Sequence, residues 1–491
     1  MSAENSPSKP GWLASFRNWM SIAGAIVIGI GVFTFLLLFL LDVVAHFSNP
    51  YVGILTYMVT PGVGAFGIFL VILGAWLERR RQPGGGFSSA IKIDFSSRRD
   101  QKILGLFLLG GLVFLLLSAL GSYETYNYTE SLQFCGETCH TVMRPENIAY
   151  HNGSHARVAC VECHIGSGAT WFVKSKMSGS YQVYAVLANN FSRPIPTPVK
   201  NLRPAQQTCE QCHWPSKFVG NLDRTYNYFL TDATNTPYSV RLLLKVGGAD
   251  PTHGPVGGIH WHMSVANKIE YYASDDARQK IPWVRMTDAQ GVVTIFRASN
   301  YTNTPGDAQI RRMDCIDCHN RPAHRFATPV DAVNLAMSLG KIDRALPYVK
   351  TNAVYVLAQH YATTDEGLKG IATTLTGRYP GDARIHDAIA AVQEIYTNNF
   401  FPEMNTDWRS HPSNLGHKDW PGCFRCHDGD HKSTDGKRMI KSNDCTACHI
   451  ILAQGSGDQL LNLSATGQKF IHPGDEIPDG YLCSDCHNGG P

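Results

Sequence analysis

The chain holds fourteen cysteines, all between Cys135 and the C-terminus, in seven pairs that are each followed at once by a histidine. They are Cys135-Gly-Glu-Thr-Cys139-His140, Cys160-Val-Glu-Cys163-His164, Cys209-Glu-Gln-Cys212-His213, Cys315-Ile-Asp-Cys318-His319, Cys423-Phe-Arg-Cys426-His427, Cys445-Thr-Ala-Cys448-His449 and Cys483-Ser-Asp-Cys486-His487. Two thiols a few residues apart can bond to the two vinyl groups of one porphyrin while the adjoining histidine delivers an imidazole to the iron. A single motif of this kind also suits a zinc site or a redox dithiol. Seven that use every cysteine point instead to seven covalently bound haem c groups. The first has three residues between its thiols rather than two, and it counts because Cys135 and Cys139 would otherwise be orphans.

Such cofactors need a framework, and the sequence begins with a membrane anchor. Ile22–Val44 is an apolar run that would span about 34 Å as a helix, enough for a bilayer core. Tyr51–Leu77 is a second run, with a bend expected at Pro61-Gly62, and Ile103–Gly121 is a third, rich in leucine and free of charge. A cleaved signal peptide would have a shorter apolar stretch and a small-residue cleavage site. Positive residues stay in the cytoplasm, and the loop between the second and third runs carries Arg79, Arg80, Arg81, Lys92, Arg98, Arg99 and Lys102. The reading is therefore a three-pass protein of a bacterial inner membrane, with a cytoplasmic N-terminus and a periplasmic haem domain. That agrees with the export of thioether-linked haem. His46 is the only histidine in this region, so a bis-histidine haem within the bilayer lacks ligands.

The formal charge of +3 changes once cofactors are counted. Seven haems bring fourteen propionates and, when ferric, seven positive cores, for a net charge of about −4 oxidised and about −11 reduced. An acidic holoprotein argues against nucleic acid as a partner.

Beyond the anchor, the stretch from the third run through the first haem motif, a following methionine, Ser154-His155-Ala-Arg-Val-Ala-Cys160-Val-Glu-Cys163-His164 and the basic segment with Lys174 and Lys176 resembles the NapC/NirT-type membrane-anchored quinol dehydrogenases. The likeness covers about residues 102–220. Pro194-Ile-Pro-Thr-Pro, Cys209-Glu-Gln-Cys-His-Trp-Pro, Gly258-Ile-His-Trp-His-Met263, Met313-Asp-Cys-Ile-Asp-Cys-His-Asn-Arg-Pro322 and Gly422-Cys-Phe-Arg-Cys-His-Asp428 resemble the larger seven-haem branch of inner-membrane cytochromes from metal-respiring bacteria.

The resemblance implies an inner-membrane quinol dehydrogenase that passes electrons from menaquinol through seven haems to periplasmic c-type cytochromes or a terminal reductase, in anaerobic or extracellular respiration. Lys174 and Lys176 are the candidate quinol-site residues; lysines snorkelling to lipid headgroups are the plainer reading. Two departures matter. The first motif has the longer spacing, and no Asp or Glu lies between Glu162 and Glu210, so the proton acceptor must come from elsewhere, such as Glu124, Glu130, Glu137, a haem propionate or water. Two alternatives stand: an electron-transfer subunit that leaves quinol oxidation to a membrane partner, or a multihaem terminal reductase with one open haem.

Six-coordinate irons require a second axial ligand each, and thirteen histidines lie outside the motifs. Spacing and the family likeness together select Met143, His155, His262, His324, His417, His431 and His472, opposite His140, His164, His213, His319, His427, His449 and His487 in an unassigned order. His151 and His260 are reserves, ahead of His253 and His411, and His360 and His386 are ordinary residues. His260 and His262 are two apart, which in a strand would point them the same way.

Texture divides the chain into an anchor with three transmembrane helices (1–122), a NapC/NirT-like region with haems one to three (123–220), a β-rich segment with haem four (221–327), a helical spacer (328–400) and haems five to seven (401–491). Alternation suggests strands at 238–246, 268–272 and 292–296. The fold class is a mainly α multihaem cytochrome c with N-terminal transmembrane helices, a small β-rich insertion and much irregular, haem-supported chain. The last segment, poor in aliphatic residues, would use the haems as its core.

Overall fold

The computed structural model describes residues 18–45, 55–81, 96–138, 140–166, 168–199, 202–248, 257–263, 267–441, 445–474, 476–478 and 480–490. Cys139, His46, His253, Lys92 and residues 51–54 of the expected second span lie outside the described residues, as do the side chains of His140 and Cys445. The chain forms two compact units, Met1–Cys135 with Cys160–Val183, and Gly136–Ala159 with Tyr184–Pro491. These do not follow the sequence segments one for one.

In the first unit, α1 (Trp19–Ala45) and α2 (Thr60–Arg81) hold stretches long and apolar enough to cross a membrane, Trp19–Leu40 and Thr60–Glu78. Glycine sets how closely they pack. A Cβ on Gly24 would fall 2.6 Å from the Gly67 carbonyl, and one on Gly67 would fall 2.8 Å from the Gly24 carbonyl, so only glycine allows the backbones to meet. The Ser21 hydroxyl adds a bond to the Val71 carbonyl at 3.1 Å. Outward, Ile22, Ile26, Phe33 and Leu40 of α1 and Ile68, Phe69 and Ile72 of α2 are exposed, a surface suited to lipid and costly in water. The bend expected at Pro61-Gly62 takes another form. A π-helical turn, Leu55–Val59, precedes α2, and Pro61 sits in the first turn of α2, where a missing N–H leaves no bond unmade.

A third helix, α3 (Arg98–Thr129), is 32 residues long, about 48 Å, and carries the third apolar run with Leu106, Leu109, Val113, Leu116 and Leu120 exposed. Its last turn and the helix Ala169–Leu187 meet in this unit through Tyr126 and Phe172, whose ring centres are 5.9 Å apart.

The second unit combines two antiparallel sheets with a helical layer. Its strands are β1 (Leu222–Phe229), β2 (Pro237–Leu244), β3 (Lys268–Tyr272), β4 (Trp283–Thr287), β5 (Val293–Arg297), β6 (Arg311–Arg312), β7 (Lys432–Ser433) and β8 (His449–Gly455). One sheet runs β1-β2-β8 and the other β6-β3-β4-β5-β7. The three strands expected from alternation are present within two residues of their ends. Unexpected are β4 and the two-residue β6 and β7, together with β1, whose residues are mostly exposed and show little apolar periodicity, and β8, where Ile450-Ile-Leu-Ala joins the C-terminal segment to β2. That segment is therefore not held by haems alone.

The haem-free stretch 328–400 is the main apolar core of the unit. Its helices Pro329–Ser338, Val349–Ala358, Thr364–Arg378 and Ile385–Asn399 bury Val333, Leu346, Ala353, Leu357, Ile371, Leu375 and Val392 completely. Side-chain caps start two of them: Thr328 accepts from the Asp331 N–H at 3.1 Å and Thr363 from the Glu366 N–H at 3.2 Å. His360, in the loop between the second and third of these helices, and His386, on the fourth, are exposed.

Candidate haem sites

Each attachment motif is wound as a short helical turn. Cys160–His164, Cys315–Cys318, Cys445–Cys448 and Cys483–Cys486 are α-helical, while Cys209–Gln211 and Gly422–Arg425 are 3₁₀ turns. The first motif, with its extra residue, starts instead on a π turn, Phe134–Thr138. The backbone N–H of His213, His319, His427 and His487 donates to the carbonyl of its motif's first cysteine at 2.8 to 3.0 Å, which brings two thiols and an imidazole to one side of a single turn.

The fourth motif is fixed most firmly. Asp317, between Cys315 and Cys318, is buried and accepts from Tyr271 Oη at 2.7 Å, Arg311 Nε at 2.9 Å, Arg278 Nη1 at 3.2 Å and the Asp314 N–H at 2.8 Å. It thereby ties the turn to β3 and β6.

Among the described residues, five attachment histidines have a second histidine ring facing them. Ring centres are 6.0 Å apart for His155 and His213, 6.4 Å for His260 and His319, 5.8 Å for His262 and His427, 6.1 Å for His417 and His449, and 6.0 Å for His472 and His487. With metal–imidazole bonds of about 2 Å on each side and ring centres roughly 1 Å behind their nitrogens, two rings sharing one iron stand about 6 Å apart. The separations fit that gap.

Hydrogen bonding favours the same use. His155 Nδ1 lies 3.0 Å from the Pro322 carbonyl, His260 Nδ1 3.0 Å from Val246, His262 Nδ1 2.9 Å from Ile259 and His427 Nδ1 3.4 Å from Lys441, which leaves Nε2 as the metal-binding nitrogen. Burial lowers the pKa of His260, His319, His417, His427, His449 and His487, which keeps them as neutral imidazoles.

The expected distal ligands thus divide. His155, His262, His417 and His472 each face an attachment histidine, and His417 faces His449 rather than His427, the nearer in sequence. His324 is held by Nδ1 at 3.0 Å from the Glu146 carbonyl, and Met143 lies half-buried on the helix His140–His151.

His431 has both ring nitrogens engaged. Its Nδ1 donates to Asp428 at 2.8 Å and its Nε2 to the Ile281 carbonyl at 2.7 Å, so neither nitrogen is left for iron. Burial opposes a charge there, yet the Asp428 carboxylate and the Ile281 carbonyl outweigh it and raise the pKa. His260, a reserve from sequence, instead faces the His319 ring. The carboxylate three residues before His431 was the readable sign that this ring is pinned. His411 is almost fully buried, stacked on Phe326 at 5.4 Å, and faces no attachment histidine among the described residues.

The two candidate lysines separate. Lys174 is exposed, with Nζ 4.8 Å from the centre of the Trp171 ring. Lys176 turns inward over Phe172 at 4.9 Å, with Nζ 3.2 Å from Glu130 and 3.0 Å from Thr129 Oγ1. The Lys176 and Glu130 charges lie within electrostatic reach of the Cys135 thiol, which also meets the Cys160 thiol, so the first cysteines of motifs one and two are neighbours. Glu124 and Glu137 are exposed.

Repeated thiol-thiol-imidazole turns, most with a second imidazole opposed, beside an apolar helical N-terminus, define a membrane-anchored multihaem cytochrome c. Residues 97–195 match the N-terminal region of the NapC/NirT cytochrome c family. The chain is 39% identical over 465 residues to the cytochrome c-type protein ImcH of Geobacter sulfurreducens, covering 91% of this chain and 90% of the relative. It belongs to the NapC/NirT cytochrome c family. No solved structure matches it.

Proposed function

We propose that this chain is an inner-membrane quinol dehydrogenase, three-pass with its N-terminus in the cytoplasm, that passes electrons from menaquinol to periplasmic c-type cytochromes or a terminal reductase. In this reading seven haem c groups are held by the seven cysteine pairs and their histidines. His155, His260, His262, His417 and His472 ligate the haems attached at Cys209, Cys315, Cys423, Cys445 and Cys483, and Met143 and His324 are distal ligands too. The haems supply one-electron acceptors; the rest of the chemistry falls to side chains.

One observation carries the quinol step: the Lys176–Glu130 pair beside Cys135. The ammonium of Lys176 can hold a quinol ring oxygen, and the Glu130 carboxylate can take the proton from that oxygen as the quinol is oxidised. Glu130 provides the acid absent between Glu162 and Glu210, from the helix end opposite Lys176 rather than from the lysine's own helix. Lys174 keeps the headgroup role. Two protons and two electrons leave each quinol, and the protons pass on to the periplasm. The opposed rings at five attachment histidines weigh against an open, substrate-binding haem at those positions.

The test is anaerobic mixing with a menaquinol analogue, following reduced-haem absorbance. Wild type and Lys174→Ala should reduce rapidly, and Lys176→Ala and Glu130→Gln slowly. Full reduction of wild type by dithionite but not by quinol would move quinol oxidation to a membrane partner subunit.

A further inference from the structure

The turn Ile259–Met263 presents two imidazoles to two different attachment histidines. His260 faces His319 of the fourth motif, with ring planes 4° apart, and His262 faces His427 of the fifth, with planes 83° apart. A strand would have aimed both rings the same way. A 3₁₀ turn advances about 120° per residue, so residues two apart diverge by about 120° and can serve neighbours on different sides.

Backbone geometry makes the turn rigid. Gly247 and Gly258 both have φ of +72°, and their chains cross so tightly that a Cβ on Gly258 would fall 2.4 Å from the Lys245 carbonyl. Across that crossing Ile259 N–H donates to Lys245 at 2.9 Å, and His260 donates to the Val246 carbonyl from its backbone N–H at 3.1 Å and its Nδ1 at 3.0 Å. The Phe218 ring lies tilted against the His260 ring at 4.6 Å, and Trp261 packs against the core of Ile269, Tyr271, Ile281, Val284 and Phe296.

The two attachment turns are also joined independently of these histidines. Arg425, inside the fifth motif, donates to the Asp317 carbonyl inside the fourth at 2.7 Å and to the Arg278 carbonyl at 2.8 Å. Asn414 donates to the same Asp317 carbonyl at 3.0 Å.

We propose that His260-Trp261-His262 is a shared distal-ligand element that fixes the fourth and fifth haems as one two-iron unit, with near-parallel axial imidazoles at the fourth and near-perpendicular ones at the fifth. The inference rests on the multihaem reading above. Its functional meaning is a pair of haems that cannot move apart, at the junction between the N-terminal motifs and the three C-terminal ones.

The relative angle of axial imidazoles is legible in the electron paramagnetic resonance of ferric low-spin haem: parallel planes give a rhombic spectrum, perpendicular planes a strongly anisotropic one with a large maximal g value. The experiment records that spectrum for the full-length oxidised protein and for His260→Met, His262→Met and His431→Met, with haem content per chain measured by mass. His260→Met should remove one haem's share of the rhombic intensity and add one His–Met centre in near-infrared magnetic circular dichroism. His262→Met should remove one haem's share of the most anisotropic component, and His431→Met should change neither.

A wild-type spectrum retained in His260→Met or His262→Met, or a ligand change in His431→Met, overturns the proposal while the haem count stands. If a variant fails to accumulate with full haem content, wild type still decides: it must show both components, and absence of either overturns the assignment. A chain without covalent haem would instead defeat the underlying multihaem reading.

Discussion

Replacing Asp317 with asparagine should loosen the fourth attachment turn more than any other single polar change near it. The carboxylate takes four donors at 2.7 to 3.2 Å, two of them guanidinium groups, and its side chain is 2% exposed. Asparagine keeps one acceptor oxygen and puts an amide N–H₂ toward Arg311, Arg278 or Tyr271, so at least one half-buried guanidinium loses its counter-charge. Removing one partner of a buried ion pair costs about 3–5 kcal/mol. The arginines here keep 24% and 32% exposure, and water recovers part of their charge, so about 3 kcal/mol is the expected loss. Spread over an unfolding entropy for roughly 300 residues, that lowers the thermal midpoint by about 5 °C. The assay is thermal unfolding of the detergent-solubilised, oxidised holoprotein, with Asp223→Asn as control, since the Asp223–Arg241 pair is open to solvent and should leave the midpoint unchanged. The near-parallel haem signal should broaden in Asp317→Asn as the His319 turn loosens. A midpoint within 1 °C of wild type would refute the claim that Asp317 anchors this turn.

Three further outcomes follow from the packing. Gly24→Leu forces the α1 and α2 backbones apart against the Gly67 carbonyl and should cost about 2 kcal/mol or more, read as a lower midpoint in detergent with an unchanged haem spectrum. Leu357→Ala, in the completely buried helical core, should cost about 2–5 kcal/mol in the same melt, without altering any axial-ligand signature. His431 has a raised pKa, so its stabilisation is complete below the unfolded value of 6.5 and fades as pH rises through the folded one; the midpoint gap between wild type and His431→Gln should shrink as the pH is raised above 6.5.

How much could be seen beforehand depended on the kind of signal. The cysteine pairs and apolar runs are one-dimensional patterns set by covalent chemistry and by bilayer thickness, so spacing alone reveals them. Distal ligands are different, because a histidine becomes a ligand through where both its nitrogens end up. His431 and His260 show this: similar in spacing to the others, one is bonded at both nitrogens and the other has its Nδ1 anchored on Val246 and its ring opposite His319. The Glu130–Lys176 contact joins the end of one helix to the middle of another far apart in sequence, and composition gave no reason to prefer Glu130 over Glu124 or Glu137. The strand β8 escaped notice because Ile450-Ile-Leu-Ala has no alternation and lies among glycine-rich loops, where only its pairing with β2 defines it.

In all five opposed pairs the second histidine precedes the motif it faces. On the proposed ligation, therefore, each of these haems closes a loop backward along the chain, from the short one between His472 and His487 to the long one between His262 and His427. Closing a loop removes conformational freedom from the unfolded chain, by an amount that grows slowly with loop length. That explains how residues 401–491, with few buried aliphatic side chains, hold a defined shape beside the helical core of 329–399: backward closures at His417, His472 and His262, and the β2–β8 pairing, each tie the segment to chain already in place. It also implies an order of assembly. A distal histidine must be positioned before its motif can be completed, so the turn bearing His260 and His262, clamped to the end of β2, has to form before the fourth and fifth haems reach six-coordination. A defect in the Gly247–Gly258 crossing would consequently appear as two five-coordinate haems at once, while the thioether bonds and the haem count remain intact.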